Sequence, residues 1–295
     1  MLVSYLLGFD TESPYGDQVD TEKGAMERER TVSIVKKLNK LLDHKKITRT
    51  HFLLGSFLAN LDQFLGREEV QQLFGSELID IQQHSYSHTP FREIPTRPDK
   101  KSLNAAEIYL DIMKANETLR NILGRDVIGV RGPLSYYQGL GNEYDKIDAV
   151  LSTGMAYISC DDRDKDWGIC PPLVENGKLR QPYKYDNGLL EIPGHGWHDT
   201  AFLGSKTKGV PKFTEFPRKE LERFIVDHYT DLVREAIKVA ETEKRNIYIG
   251  SALHPQAMAV YDPDLELFSQ IIENCEKLGA KVRSYTEIIT DPQFV

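Results

Sequence analysis

The chain has 295 residues, 40% of them hydrophobic and 28% charged, an ordinary globular composition with room for one large α/β domain over residues 1–295. Its formal net charge is −8 and its basic residues form no long run, which argues against a nucleic-acid partner. No segment has the length of a membrane-spanning helix, and Cys160, Cys170 and Cys275 are too few and too scattered for a disulfide framework or a thiolate zinc site.

The N-terminal run Met1 to Leu7 is apolar but lacks a basic lead and a small-residue cleavage site. It passes straight into Gly8-Phe9-Asp10. Val3 to Phe9 therefore reads as the first buried strand, and the cytoplasm is the expected location. Glu27 to Asp43 carries Val32, Val35, Leu38, Leu41 and Leu42 at helical spacing. Thr50 to Leu54 predicts a second strand, Glu68 to Phe74 a short helix, and Glu77 to Ile81 a third strand. Leu103 to Leu123 predicts a long amphipathic helix with Ile108, Ile112, Ala115 and Leu119 on one face and Gly124 just past its end. Val127 to Val130 predicts a short strand that ends at Arg131.

The next block is less regular. Ala156 to Ser159 reads as a strand that leads into the acidic loop Asp161 to Asp166. Pro171-Pro172, Asn176-Gly177 and Asn187-Gly188 punctuate loops. Leu189 to Ile192 predicts a strand, Pro217 to Thr242 a helix, and Asn246 to Leu253 a strand before His254-Pro255. Asp264 to Leu278 and Lys281 to Ser284 close the chain as helix and strand. This βαβα rhythm predicts a parallel sheet closed or partly closed into a (β/α) barrel. A doubly wound open sheet is the alternative, but the glycine-rich dinucleotide fingerprint is missing after the first strand.

Ionisable residues gather at the predicted strand ends. Asp10 and Glu12 follow the first strand, His84 and His88 the third, Arg131 the fourth and His254 a late one. In a parallel α/β fold these ends lie on one face, where barrel active sites are built. His84 and His88, four positions apart, close on one metal ion if the backbone turns helically between them. Without thiolates, imidazole and carboxylate ligands select zinc or another divalent first-row metal. If strand geometry persists, Asp10 and Glu12 face the same side and Thr11 points away. One acid would then be the third ligand and the other a general base. The Arg131 fork would hold a carboxylate bidentately, and His254 would serve as general acid.

These motifs resemble the polysaccharide deacetylase family, the NodB-homology domains of carbohydrate esterases. Leu7-Gly8-Phe9-Asp10, Thr50 to Gly55, His84-Ser-Tyr-Ser-His88, Arg131-Gly132-Pro133 and Leu253-His254 follow the family's motif order across most of the chain. The resemblance implies a distorted, often incomplete (β/α) barrel. It also implies metal-dependent removal of an N- or O-linked acetyl group from a carbohydrate by an activated water. Asp10 would be the base, His84 and His88 ligands, Arg131 the partner of Asp10, and His254 the acid. An aspartate that orients the catalytic histidine is expected in Asp161 to Trp167, with Asp162 the choice and Trp167 lining the pocket. Thr11 stands where the family has a second aspartate, so Glu12 is the expected third ligand, in a spacing shared with amide- and imide-hydrolysing relatives. The run Gly194-His195-Gly196-Trp197-His198-Asp199 also resembles those relatives. Pro133, Tyr136, Trp167, Trp197 and His198 are the expected substrate-binding residues.

The expected partner is therefore an acetylated sugar or a related small molecule. The alternatives are a hydrolase of another C–N bond, in a small amide or cyclic imide, and a carbohydrate-binding protein with a degenerate metal site.

Overall fold

The apolar N-terminal run makes two strands, not one. In the computed structural model, which describes residues 1–205, 207 and 209–294, β1 (Val3–Leu6) and β2 (Gly8–Thr11) separate at Leu7 and enter different sheets. The following elements are α1 (Glu22–Lys45), β3 (Arg49–Leu53), α2 (Gly55–Leu65), α3 (Arg67–Leu73), β4 (Ile79–Gln83), α4 (Ala105–Leu123) and β5 (Gly129–Tyr136). Then come α5 (Tyr144–Ser152), β6 (Tyr157–Asp161), the hairpin β7 (Val174–Glu175) and β8 (Lys178–Leu179), β9 (Tyr183–Lys184) and β10 (Leu190–Glu191). The chain ends with α6 (Arg218–Glu243), β11 (Ile247–Gly250), α7 (Pro255–Tyr261), α8 (Glu266–Lys277) and β12 (Lys281–Arg283).

Local chemistry accounts for the helix limits. The Asn104 side chain accepts from the Glu107 N–H and the Glu107 carboxylate accepts from the Asn104 N–H, a capping box that starts α4. Gly124, at φ 65°, ends it in the left-handed conformation. The predicted face of α4, Ile108 to Leu119, is buried. Three helices, α2, α5 and α7, were not expected from periodicity. α5 buries only Lys146, Ile147 and Val150, and α7 opens on Pro255 at a helix start, where a missing N–H costs nothing.

Strands run in the order β2-β3-β4-β5-β6-β10-β9 in one sheet and β11-β1-β12 in another. Every pairing through β2 to β6 and β10 is parallel, and β9 alone is antiparallel to β10. The bridges Phe9↔Leu253 and Gly194↔Gly250 insert the chain after β11 between β10 and β2. The result is a distorted (β/α) barrel whose strands deliver their C-terminal ends to one face.

β5 is longer than expected because it does not stop at Arg131. Its register with β6 shifts between Arg131 and Tyr136, and Leu134 and Ser135 both adopt positive φ (63° and 58°). The buried Arg163 guanidinium donates to the carbonyls of both residues and holds this kink. No helix among the described residues is long and apolar enough to cross a membrane.

Candidate metal centre

His84 and His88 lie in the loop after β4, not on a helical turn. Ser85 and His88 have φ of 63° and 59°, so the i, i+4 helical reading of this pair does not hold. The loop is fixed instead by its own hydrogen bonds. Gln83 Oε1 accepts from Ser85 N, Asp111 Oδ2 accepts from Tyr86 N, and Ser85 Oγ accepts from His88 N. The two imidazoles still converge, with ring centroids 4.9 Å apart.

Their common target is Glu12. Its Oε2 lies 2.9 Å from His84 Nε2 and 2.7 Å from His88 Nε2, and all three residues are buried. One ligand atom from each falls within 4.8 Å of the others. The tautomer of His84 decides what these short distances mean. Its Nδ1 lies 2.8 Å from the Arg131 carbonyl, which only accepts, so Nδ1 carries a proton and Nε2 is the nitrogen left to face Glu12 and to ligate. Glu12 Oε2 has no hydrogen-bond partner among the described residues. The donor set therefore fits a divalent metal held by two imidazoles and one carboxylate oxygen. Burial pushes the Glu12 carboxyl up, but His88 and His84 outweigh it and hold it well below the usual carboxylate range.

Thr11 takes no part. It faces the other side of β2, buried, with Oγ1 3.0 Å from His51 Nδ1. The alternation of the strand thus sends Asp10 and Glu12 to the barrel interior and Thr11 into the helix-covered layer.

Asp10 sits beside the three ligands. Its Oδ2 lies 3.9 Å from His254 Nε2, and its Oδ1 lies 3.5 Å from Arg131 Nε. Arg131 does not grip one carboxylate with two nitrogens, as its fork suggests. It straddles two acids, because Nη1 lies 3.6 Å from Asp162 Oδ2, and Nη2 donates to the Ser251 carbonyl at 3.1 Å. The guanidinium carbon also lies 4.5 Å from the Phe52 ring centroid and 5.1 Å from that of Tyr285, two rings packed edge-on to each other.

The residue that orients His254 is Asp199. Asp199 Oδ1 lies 2.7 Å from His254 Nδ1, and Oδ2 accepts from the His254 backbone N–H at 2.8 Å. Burial opposes a charge on His254, but Asp199, aided by Asp10 and Glu12, raises its pKa to about 10. Asp162, expected in this role, instead faces His198 Nε2 at 3.0 Å and Arg131. β6 ends at Asp161, one residue before Asp162. Asp199 closes the run Gly194 to Asp199, so the segment was visible in sequence but the choice of acid was not. Gly194 permits this packing: a Cβ there would stand 1.8 Å from Asp162 Oδ1.

The comparisons with known proteins accord with this arrangement. Residues 22–148 match the family described as polysaccharide deacetylase. That match spans less than half of the chain. No curated protein matches the chain. Among solved structures, a Mycobacterium smegmatis protein assigned as a polysaccharide deacetylase is 15% identical, with 97% of this chain and 88% of that one covered at a TM-score of 0.63. An allantoinase is 14% identical, with 99% and 91% covered at a TM-score of 0.59. A GH57 branching enzyme from Thermococcus kodakaraensis is 10% identical, with 99% and 71% covered at 0.66. At these identities the likeness is one of fold.

Within this barrel, the residues expected to line a substrate fall in different places. Tyr136 is fully buried, its hydroxyl donating to the Pro133 carbonyl and accepting from Phe91 N. It braces the kink after Arg131 from inside the core and has no surface for a ligand, which corrects the expectation. Pro133 is buried beside it. Trp167 is half-buried under the Arg92 guanidinium, 5.8 Å from its ring. Trp197 is half-buried, edge-on to Phe213 at 5.3 Å. His198 points at Asp162. Of the five, only Trp167 and Trp197 keep part of their surface open.

Proposed function

We propose that the protein is a zinc-dependent hydrolase that removes an N- or O-linked acetyl group from a carbohydrate. The observation that carries this reading is the position of Glu12 Oε2 between two imidazole Nε2 atoms, beside Asp10 and the His254–Asp199 pair. Glu12, His84 and His88 hold the metal, which when bound supplies Lewis acidity for acyl transfer to water. Asp10 accepts the proton of the attacking water, as the one remaining carboxylate beside the ligands. Arg131, with Nε 3.5 Å from its Oδ1, aims Asp10. His254 gives the proton on Nε2 to the departing sugar nitrogen or oxygen, and Asp199 fixes the ring so that Nε2 faces the site.

A second reading, hydrolysis of a small amide or cyclic imide, is favoured by the coverage of 99% of the chain by an allantoinase and by the Asp10-x-Glu12 spacing. Both chemistries need the same base, acid and metal. The test is a panel of N- and O-acetylated sugars and cyclic imides offered to zinc-loaded protein, with acetate release and ring opening measured in parallel. Acetate release dependent on zinc supports the first reading. Ring opening alone replaces it with the second, and no turnover of either class overturns both.

A further inference from the structure

Gln256 lies on the first turn of α7, two residues past His254. Its Nε2 is 3.5 Å from Glu12 Oε1, the carboxylate oxygen that does not face the imidazoles. His254 Nε2 is 3.8 Å from the same oxygen. The two oxygens of Glu12 are thus divided: Oε2 serves His84 and His88, and Oε1 faces donors at the start of α7. Gln256 is the neutral one of those donors, and its fork of two N–H groups has no role in the proton transfers assigned to Asp10 and His254.

A second observation fixes the direction of the amide. The Gln256 carbonyl oxygen is buried and has no hydrogen-bond partner among the described residues. Reversing the amide would set that oxygen against the Glu12 carboxylate, acceptor against acceptor. The side chain therefore leaves its own acceptor unpartnered and turns its N–H groups to Glu12. Glutamate has three side-chain torsions to fix before one oxygen points at a metal, and neither histidine constrains the far oxygen. Gln256 supplies that constraint.

We propose that Gln256 is a positioning residue of the metal centre, which holds Glu12 with only Oε2 turned to the cation and so raises the affinity for a divalent metal. The inference rests on the metal reading above. Outer partners of metal ligands contribute about 10–100-fold in affinity.

Zinc affinity, measured by competition with a chromophoric chelator, tests it in the full chain. Gln256→Met keeps length and removes the donor. We expect zinc binding weaker by about 10–100-fold, an unchanged melting temperature of the metal-free protein, and a shifted visible absorption band in the cobalt-loaded form. Gln256→Ala carries the same expectation if the methionine variant does not fold. Wild-type zinc affinity in both variants overturns the role of Gln256 and leaves the metal centre standing. Weaker zinc binding together with a lowered metal-free melting temperature assigns Gln256 a packing role and also overturns it. Failure of the wild-type protein to bind zinc overturns the metal centre itself.

Discussion

Asp199 Oδ1 lies 2.7 Å from Nδ1 of His254, and the other oxygen of the same carboxylate accepts from the His254 backbone N–H. One acid thus fixes both the ring and the chain that carries it. Asp199→Asn removes the charge that favours the imidazolium while keeping the shape. The turnover number is expected to fall by about 10²–10⁴-fold, the usual contribution of a positioned general acid. Zinc content should stay at the wild-type level, because neither residue is a ligand. A wild-type rate would assign the proton transfer elsewhere.

Asp10→Asn should have a similar cost for a different reason. The amide cannot accept the proton of the attacking water, so kcat/KM should fall by about 10²–10⁴-fold. Zinc stoichiometry is again the control, since Glu12, His84 and His88 are untouched. An undiminished rate in this variant sinks the assignment of Asp10 as base.

Thr11 separates the roles of adjacent residues on β2. Thr11→Val removes the hydroxyl and leaves the buried His51 Nδ1 without its partner. Stability should fall by about 1–3 kcal/mol, the penalty for an orphaned buried polar group. The zinc dissociation constant should not change. Chemical denaturation and metal titration of the same preparation measure both. A loss of zinc binding would place Thr11 in the metal site after all.

A buried acid away from the metal centre sets a pH dependence of stability. Glu191 is fully buried, and its carboxylate accepts from Cys160 N, Asp161 N and the Tyr185 hydroxyl. Burial, with a contribution from Asp161, raises its pKa from the ordinary 4.5 to about 7. A folded-state value above the unfolded one means that the protonated acid favours the fold. That contribution is complete below about 4.5 and is lost as pH rises through about 7. The wild-type melting temperature should therefore drop between pH 5 and pH 8, and Glu191→Gln should reduce the drop. Equal drops in the two proteins would rule out Glu191 as the titrating group.

Much of the site was legible because barrel strands carry function at one end. Ionisable residues lie at or just past the ends of β2, β4 and β11 and within β5, and the period of two along β2 divided Asp10 and Glu12 from Thr11. The less legible parts have physical causes. Leu7 cannot reveal that β1 and β2 belong to different sheets, since both strands are buried throughout. The kink at Leu134 and Ser135 is held by a distant arginine, Arg163, a partner that local sequence does not name. α7 hides behind His254-Pro255, which reads equally as the end of a strand.

The sequence by itself determined the strand–helix alternation and the face on which Asp10, Glu12, His84 and His88 would meet. These follow from short-range periodicity, which survives in a single chain read without its fold. Only the tertiary structure decided that Asp199 and not Asp162 holds His254, that Arg131 lies between two acids, that Tyr136 is sealed in the core, and that Gln256 reaches Glu12. Each of these pairings joins loops or strand ends remote in sequence, and each turns on a few ångströms of relative placement. No local propensity encodes that distance; barrel closure through the Phe9–Leu253 and Gly194–Gly250 bridges sets it.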